Sequence, residues 1–274
     1  MVQENAATIL GSRGSIPVSG PDFVRYGGAT TCVLVRLENT TVVLDAGSGL
    51  LNLPGPAECS YLPEKPKPLP ILITHPHLDH LLGIPLCNYS LKPGGGVNIY
   101  MKAWNGRDGK DLMDQLYTPP FWPVRTDQLP SKITFNDLPD SFDLGAIHVD
   151  VTEGVHPGGV SLLRVSGGGK RVVFMTDCTL AEDRLPEFTD FARSCDLLLV
   201  DGQYSDEEWP TRKNYGHSTW TAAARFSLEC GARETRIIHH DPARKDATLD
   251  AAEGEIRRIN PRCRFAREGE KIGL

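Results

Sequence analysis

Between Ile71 and His80 the chain reads Ile-Leu-Ile-Thr-His-Pro-His-Leu-Asp-His, an apolar run leading straight into three imidazoles and a carboxylate. Imidazole nitrogen and carboxylate oxygen are the ligands that borderline metals such as zinc prefer. If the apolar run is a strand, His75 and His77 stand at alternate positions and turn to the same side. Asp79 and His80 then fall on the following turn, where they can face a second metal. Singly, each histidine would read as a surface or satisfied core residue. Together, at H-x-H-x-D-H spacing, chance clustering explains them poorly. A cation held there could polarise and ionise a bound water.

Ligands of this kind need rigid strands to aim them, and the chain supplies short apolar, β-branched runs separated by Gly, Pro and Asp. Thr30–Leu37 and Thr40–Asp45 form one such pair across the turn-like Glu38-Asn39. Strands are also predicted over Pro70–Thr74, Val97–Met101, Ile147–Val151 and Ser161–Val165. Arg171–Thr176, Asp196–Asp201 and Thr235–His239 complete the set. Several are continuously apolar, as strands buried on both faces are. Helices are predicted over Thr219–Cys230, with Ser218 as N-cap and Gly231 closing it, and over Asp246–Ile259, which stops before Pro261. Strands flanked by helices imply layers around a sheet pair. Two Pro-rich stretches, near 53–70 and 104–130, read as surface insertions, and Phe121 and Trp122 in the second are a candidate substrate lid.

The 274 residues can bury a sizeable core, and 40% hydrophobic with 23% charged residues is ordinary for a globular protein. A formal charge of −6 argues against an extended nucleic-acid substrate, which needs clustered basic surface. The seven cysteines stand singly, with no C-x-x-C pair, and read as reduced, mostly buried thiols. The start, Met-Val-Gln-Glu-Asn, has no signal-peptide pattern, and no apolar run reaches the length of a membrane span. A cytoplasmic location without membrane contact is the expectation. Oligomeric state is unread beyond the base rate that favours homodimers.

The His75–His80 motif, with Thr74 before it and Gly83-Ile84-Pro85 after it, resembles the signature of the metallo-β-lactamase-fold superfamily. The resemblance runs over nearly the whole chain. It implies an α/β fold, an αββα sandwich of two mixed β-sheets flanked by helices, formed as one domain over 1–274. It also implies two divalent metal ions, with zinc expected and manganese or iron acceptable to the same ligands. By this resemblance His156, Asp177 and His239 join His75, His77, Asp79 and His80 as metal ligands. Asp177 would bridge both metals, and His239 is preferred over His240 because it follows its strand directly. Asp45 matches the carboxylate beneath the site, read as orienting imidazoles rather than binding metal. His148, in an apolar strand, is left to ordinary packing.

Gly216-His217-Ser218-Thr219 resembles the ribonuclease Z-like and phosphodiesterase-like branch, as do Gly11–Pro17 and Tyr26-Gly27-Gly28. The resemblance implies that His217 assists cleavage of a phosphodiester while Asp79 orients the nucleophile. The long arm that grips tRNA in true ribonuclease Z has no evident counterpart. The expected activity is therefore hydrolysis of a cyclic or small nucleotide-like phosphodiester by a hydroxide formed between the two metals. A hydrolase of a carboxylic ester, lactone, amide or aryl ether is the alternative. A catalytically silent ligand-binding protein is the third reading.

Overall fold

The computed structural model describes residues 4–54 and 68–274. Over 55–67, the Pro-rich insertion expected near 53–70 lies outside the described residues. The first six strands are β1 Ala6–Gly11, β2 Cys32–Leu37, β3 Thr40–Leu44, β4 Leu69–Ile73, β5 Gly96–Met101 and β6 Lys132–Asn136. They continue with β7 Ser141–Leu144, β8 Ile147–Gly154, β9 Val160–Gly167 and β10 Lys170–Met175. The last four are β11 Leu197–Asp201, β12 Glu234–Ile238, β13 Cys263–Phe265 and β14 Lys271–Gly273. The helices are α1 Asn88–Leu91, α2 Gly109–Leu116, α3 Leu185–Ala192, α4 Trp209–Arg212, α5 Trp220–Glu229 and α6 Asp246–Ile259.

Two seven-stranded sheets result, in the orders β14-β1-β2-β3-β4-β5-β6 and β13-β12-β11-β10-β9-β8-β7. Both are mixed. β3 to β6 run parallel to one another, as do β10 to β13, while the remaining pairs are antiparallel. Ile9, Val33, Val35, Leu44 and Leu72 of one sheet meet Val149, Val165, Phe174 and Leu199 of the other in a dry layer. On the outer face of the first sheet Ile71, Ile73, Val97 and Ile99 pack under Met113 of α2. On the outer face of the second, Val173 and Leu198 pack under Phe188 of α3, Ala223 of α5 and Ile256 of α6. This is the αββα sandwich that the resemblance implies, and strands such as β2 and β11, buried along their whole length, sit at its centre.

The structure corrects several local readings. The stretch 104–130 is not all loop. It contains α2, whose start is fixed by the Asp108 side chain accepting from the Asp111 N–H at 2.9 Å. The cap of α5 is Thr219, which accepts from the Ala222 N–H, not Ser218. Ser218 Oγ instead donates to the Cys178 carbonyl at 2.7 Å and accepts from the Leu180 N–H at 2.9 Å, tying the helix start to the end of β10. His148 is not packed. It lies on the open face of β8, where its ring meets Asp143 at 2.7 Å and Asp150 at 3.2 Å.

Candidate metal centre

The parallel strands β3, β4, β10 and β12 lead within two residues into Asp45, Thr74-His75, Asp177 and His239, and β11 ends on Asp201. Carboxyl ends of parallel strands share one edge of a sheet, the place where ligands collect in such folds. His156 reaches the same edge from the turn between β8 and β9. Asp45, Asp177 and His239 take φ of 57°, 51° and 63°. A non-glycine residue held there costs about 1–3 kcal/mol, and such strain persists where its surroundings demand that geometry. All three are fully buried at the site.

One donor set is His75, His77 and His156. His75 Nε2 lies 2.8 Å from His77 Nδ1, and His156 Nε2 lies 3.2 Å from the same atom. Ligands at zinc–nitrogen distances of about 2.0–2.1 Å around a tetrahedron stand about 3.3 Å apart, so these two separations are close to those of a metal site. The far side of each outer ring is fixed. His75 Nδ1–H donates to Thr74 Oγ1 at 3.1 Å, and His156 Nδ1–H donates to the Gly216 carbonyl at 3.0 Å. Those bonds leave both Nε2 lone pairs for a cation.

The second set, Asp79, His80, Asp177 and His239, is wholly buried. Asp177 joins the two sets. Its Oδ1 lies 3.1 Å from His239 Nε2 and 3.8 Å from His75 Nε2, while its Oδ2 lies 3.2 Å from His80 Nε2. Asp79 Oδ2 approaches His239 Nε2 at 3.1 Å and His80 Nε2 at 3.3 Å, and accepts from the Ser15 N–H at 2.7 Å. Beneath both sets, Asp45 accepts His80 Nδ1–H at 2.7 Å and the Thr74 N–H and hydroxyl at 2.8 and 3.0 Å. One carboxylate thus orients His80 directly and His75 through Thr74.

The electrostatics separate the two sets. Burial holds His75, His77 and His156 below the ordinary imidazole range, as neutral ligands. Burial also disfavours a charged His80, yet Asp79, Asp177 and Asp45 outweigh it and push its pKa well up. His239 is raised to about 10, its burial likewise overcome by Asp177 and Asp79. Asp177 and Asp79 are held well below the carboxylate range, because His80 and His239 outweigh their desolvation. This carboxylate-rich half draws in positive charge, as protons on imidazole or as a divalent cation. The donors fit the cation: His80 Nε2 is buried with no hydrogen-bond partner, pointed between two carboxylates.

His217 stands over the cluster, stacked on His239 at 4.9 Å and edge-on to His156 at 5.3 Å. Its Nδ1–H donates to Asp201 Oδ2 at 2.8 Å. Asp201, a residue the sequence reading passed over, also accepts from the Ser218 N–H at 2.8 Å, so His217 and the start of α5 share one buried anchor. A lone Asp closing a strand carries no signal until the fold puts a histidine beside it. His240 turns away, donating from Nε2 to the Ala266 carbonyl at 2.9 Å, edge-on to Tyr26 and Phe265. In the stretch expected to provide a lid, Phe121 is 83% exposed and Trp122 rests edge-on against Tyr117. The contact with the cluster comes from Trp104, whose ring lies 5.9 Å from that of His77.

Among the described residues no helix is long and apolar enough to cross a membrane, and the six cysteines among them are free and buried. The family model described as the beta-lactamase superfamily domain matches residues 40–240. A Ribonuclease Z of Gemmatimonas aurantiaca is 31% identical over 106 residues, 39% of this chain and 32% of that protein. This chain thus matches only about a third of that relative's length. A Ribonuclease Z of Bradyrhizobium diazoefficiens is 22% identical over 317 residues, covering 97% of this chain and 99% of that protein. Among solved structures, the metallo-beta-lactamase fold protein YhfI of Bacillus subtilis has a TM-score of 0.71 at 18% identity, covering 99% of this chain and 100% of the other. A diphosphatase of the PhnP family has a TM-score of 0.65 at 17% identity, covering 100% of this chain and 98% of the other. Both share its fold.

Proposed function

The chain belongs to the beta-lactamase superfamily, and from that premise we propose that it is a binuclear metal-dependent hydrolase acting on a phosphodiester. The observation that carries the proposal is Asp177, whose Oδ1 lies between His75 of the first set and His239 of the second while its Oδ2 faces His80 of the second. His75, His77, His156 and Asp177 would hold one cation, and Asp79, His80, Asp177 and His239 the other. Cations so paired would supply Lewis acidity and would lower the pKa of a bound water to about 7.

The remaining roles belong to the protein's own side chains. Asp79, pinned by the Ser15 N–H, orients the attacking water. His217, with Nδ1 committed to Asp201, keeps Nε2 to deliver a proton to the departing oxygen. Asp201 fixes the orientation of that ring. Asp45 holds His75 and His80 in the tautomers that expose their Nε2 lone pairs. A phosphodiester suits this arrangement because its hydrolysis needs charge neutralisation and leaving-group protonation together.

Both curated relatives bear the name Ribonuclease Z, which weighs against the expectation, drawn from net charge, that extended nucleic acid is not a substrate. RNA therefore joins the test. Protein with measured metal content is assayed on bis(p-nitrophenyl) phosphate, a small RNA, a lactone and an aryl ester. The proposal expects phosphodiester turnover that a chelator removes. Cleavage of the lactone or aryl ester with none of either phosphodiester would overturn the phosphodiester reading in favour of carboxyl-ester chemistry.

A further inference from the structure

Beside the metal cluster lies a cavity of about 270 Å³ with Trp104, Lys102, Glu153, Ser161 and Gly158 in its walls, and with Thr74 and His75 on its inner side. The sequence invests in placing the indole there. Directly after β5, Trp104 and Arg107 exchange both backbone hydrogen bonds, at 2.8 and 3.0 Å, across Asn105 and Gly106. Those two residues have φ of 50° and 76°, the mirror-image turn for which Asn-Gly is the favoured pair. Opposite, a Cβ on residue 158 would fall 2.2 Å from the indole, so only glycine lets Trp104 lie where it does. The ring is thereby held against His77, one of the three imidazoles of the more open donor set.

The other walls are mixed, with Lys102, Glu153 and Ser161 beside Pro76, Ala103 and Val160. Glu153 is an exposed carboxylate, and its side chain shares no ion pair or hydrogen bond with another described residue beyond the backbone contact of its carbonyl to Arg184. The buried Ser161 donates its N–H to the Thr74 carbonyl at 2.9 Å, which ties the cavity floor to the strand end that carries His75. A void of this size holds one ring system and its linking atoms. It has no room for a duplex.

We propose that this cavity is the subsite for a planar aromatic group, nucleobase or aryl, carried by a small phosphate-bearing substrate, with Trp104 as the residue that recognises it. The inference rests on the phosphodiester reading above and adds the kind of group next to the reacting phosphate. Stacking of a base on an aromatic side chain changes affinity by about 5- to 150-fold, and it tolerates any base because each has a π face.

The test is binding, so that it does not depend on turnover. Metal-loaded protein is titrated by calorimetry with adenosine 5′-monophosphate and with ribose 5-phosphate, which differ only in the base, and with phenyl phosphate against methyl phosphate. The wild-type protein should bind the ring-bearing member of each pair about tenfold tighter. Trp104→Leu should erase both preferences while keeping metal content and ribose 5-phosphate affinity, and Trp104→Phe should keep most of each. A preference only in the adenosine pair assigns the subsite to nucleobases, and one in both assigns it to aromatic groups at large. Equal binding of all four ligands by the wild-type protein overturns the proposal, as does a preference that survives Trp104→Leu. So does a Trp104→Leu loss shared equally by ring-bearing and ring-free ligands, which would make Trp104 a support for His77 alone. Failure to cleave any phosphodiester would instead strike the reading of the reaction and leave these binding differences standing.

Discussion

Gly14→Ala should strip the buried donor set of its cation while leaving the fold standing. The backbone of Gly14 lies so near His239 that a Cβ there would be 2.3 Å from Nδ1 and 2.4 Å from Cε1. Ordinary contact begins at about 3.4 Å, so the ring must retreat by about 1 Å. It has nowhere to do so, being 1% exposed and stacked on both His80 and His217. Metal–ligand distances tolerate about 0.2 Å. A displacement five times that size removes His239 as a ligand. Even loss of an outer hydrogen-bond partner costs about 10–100-fold in metal affinity, so the direct loss should be at least of that order. The alanine keeps the N–H that donates to the His240 carbonyl at 2.9 Å, and the protein should fold. Elemental analysis with a competing metal indicator reads the result: one tight cation instead of two, with near-wild-type circular dichroism. Two equivalents bound at wild-type affinity would refute the steric argument and the placing of His239 at the metal.

Further expectations concern groups around the cluster. Asp45→Asn presents an amide where His80 Nδ1–H now finds an acceptor, which favours the wrong tautomer, and should weaken cation binding by about 10–100-fold in a metal titration. His217→Ala should lower phosphodiester turnover by about 10²–10⁴-fold with metal content nearly unchanged, and loss of metal in that variant would make His217 a ligand instead. On the open face of β8, hydrogen bonding to Asp143, helped by Asp150 against slight desolvation, raises the His148 pKa above 6.5. The stabilisation from that pairing is full below 6.5 and fades as pH rises through the folded value. Proton NMR should show His148 titrating above 6.5, and in Asp143→Asn the pKa should fall back toward it.

Much of the fold was legible because its central strands are dominated by apolar residues and buried throughout, as β2 (Cys-Val-Leu-Val-Arg-Leu) and β11 (Leu-Leu-Leu-Val-Asp) show. The His75–His80 cluster was legible because rare residue types crowd into one strand end. The strands that escaped notice lie toward the sheet edges. β6, Lys-Ile-Thr-Phe-Asn, and β7, Ser-Phe-Asp-Leu, are short and half exposed, so burial wrote little into them. His148 was misread although its signal was present: in Ile-His-Val-Asp-Val-Thr, Ile147, Val149 and Val151 alternate with His148, Asp150 and Thr152, and the period of two puts His148 outside. Ser218 and Thr219 are adjacent hydroxyls, serine the slightly better cap, and the bond of Ser218 to Cys178 leaves the capping to Thr219. Asp201 and Trp104 gain meaning from partners 16 and 27 positions away, His217 and His77, which no local pattern announces.

The central claim is that strand ends from both sheets surround a pair of cations with Asp177 between them. Anomalous diffraction from crystals of metal-loaded protein, recorded at the metal's absorption edge, measures this directly. Two peaks should appear about 3.5–4 Å apart. One should lie among His75, His77 and His156, the other among Asp79, His80 and His239, each within coordinating distance of an Asp177 oxygen. A single peak, or a pair of which Asp177 coordinates neither or only one, would contradict the account.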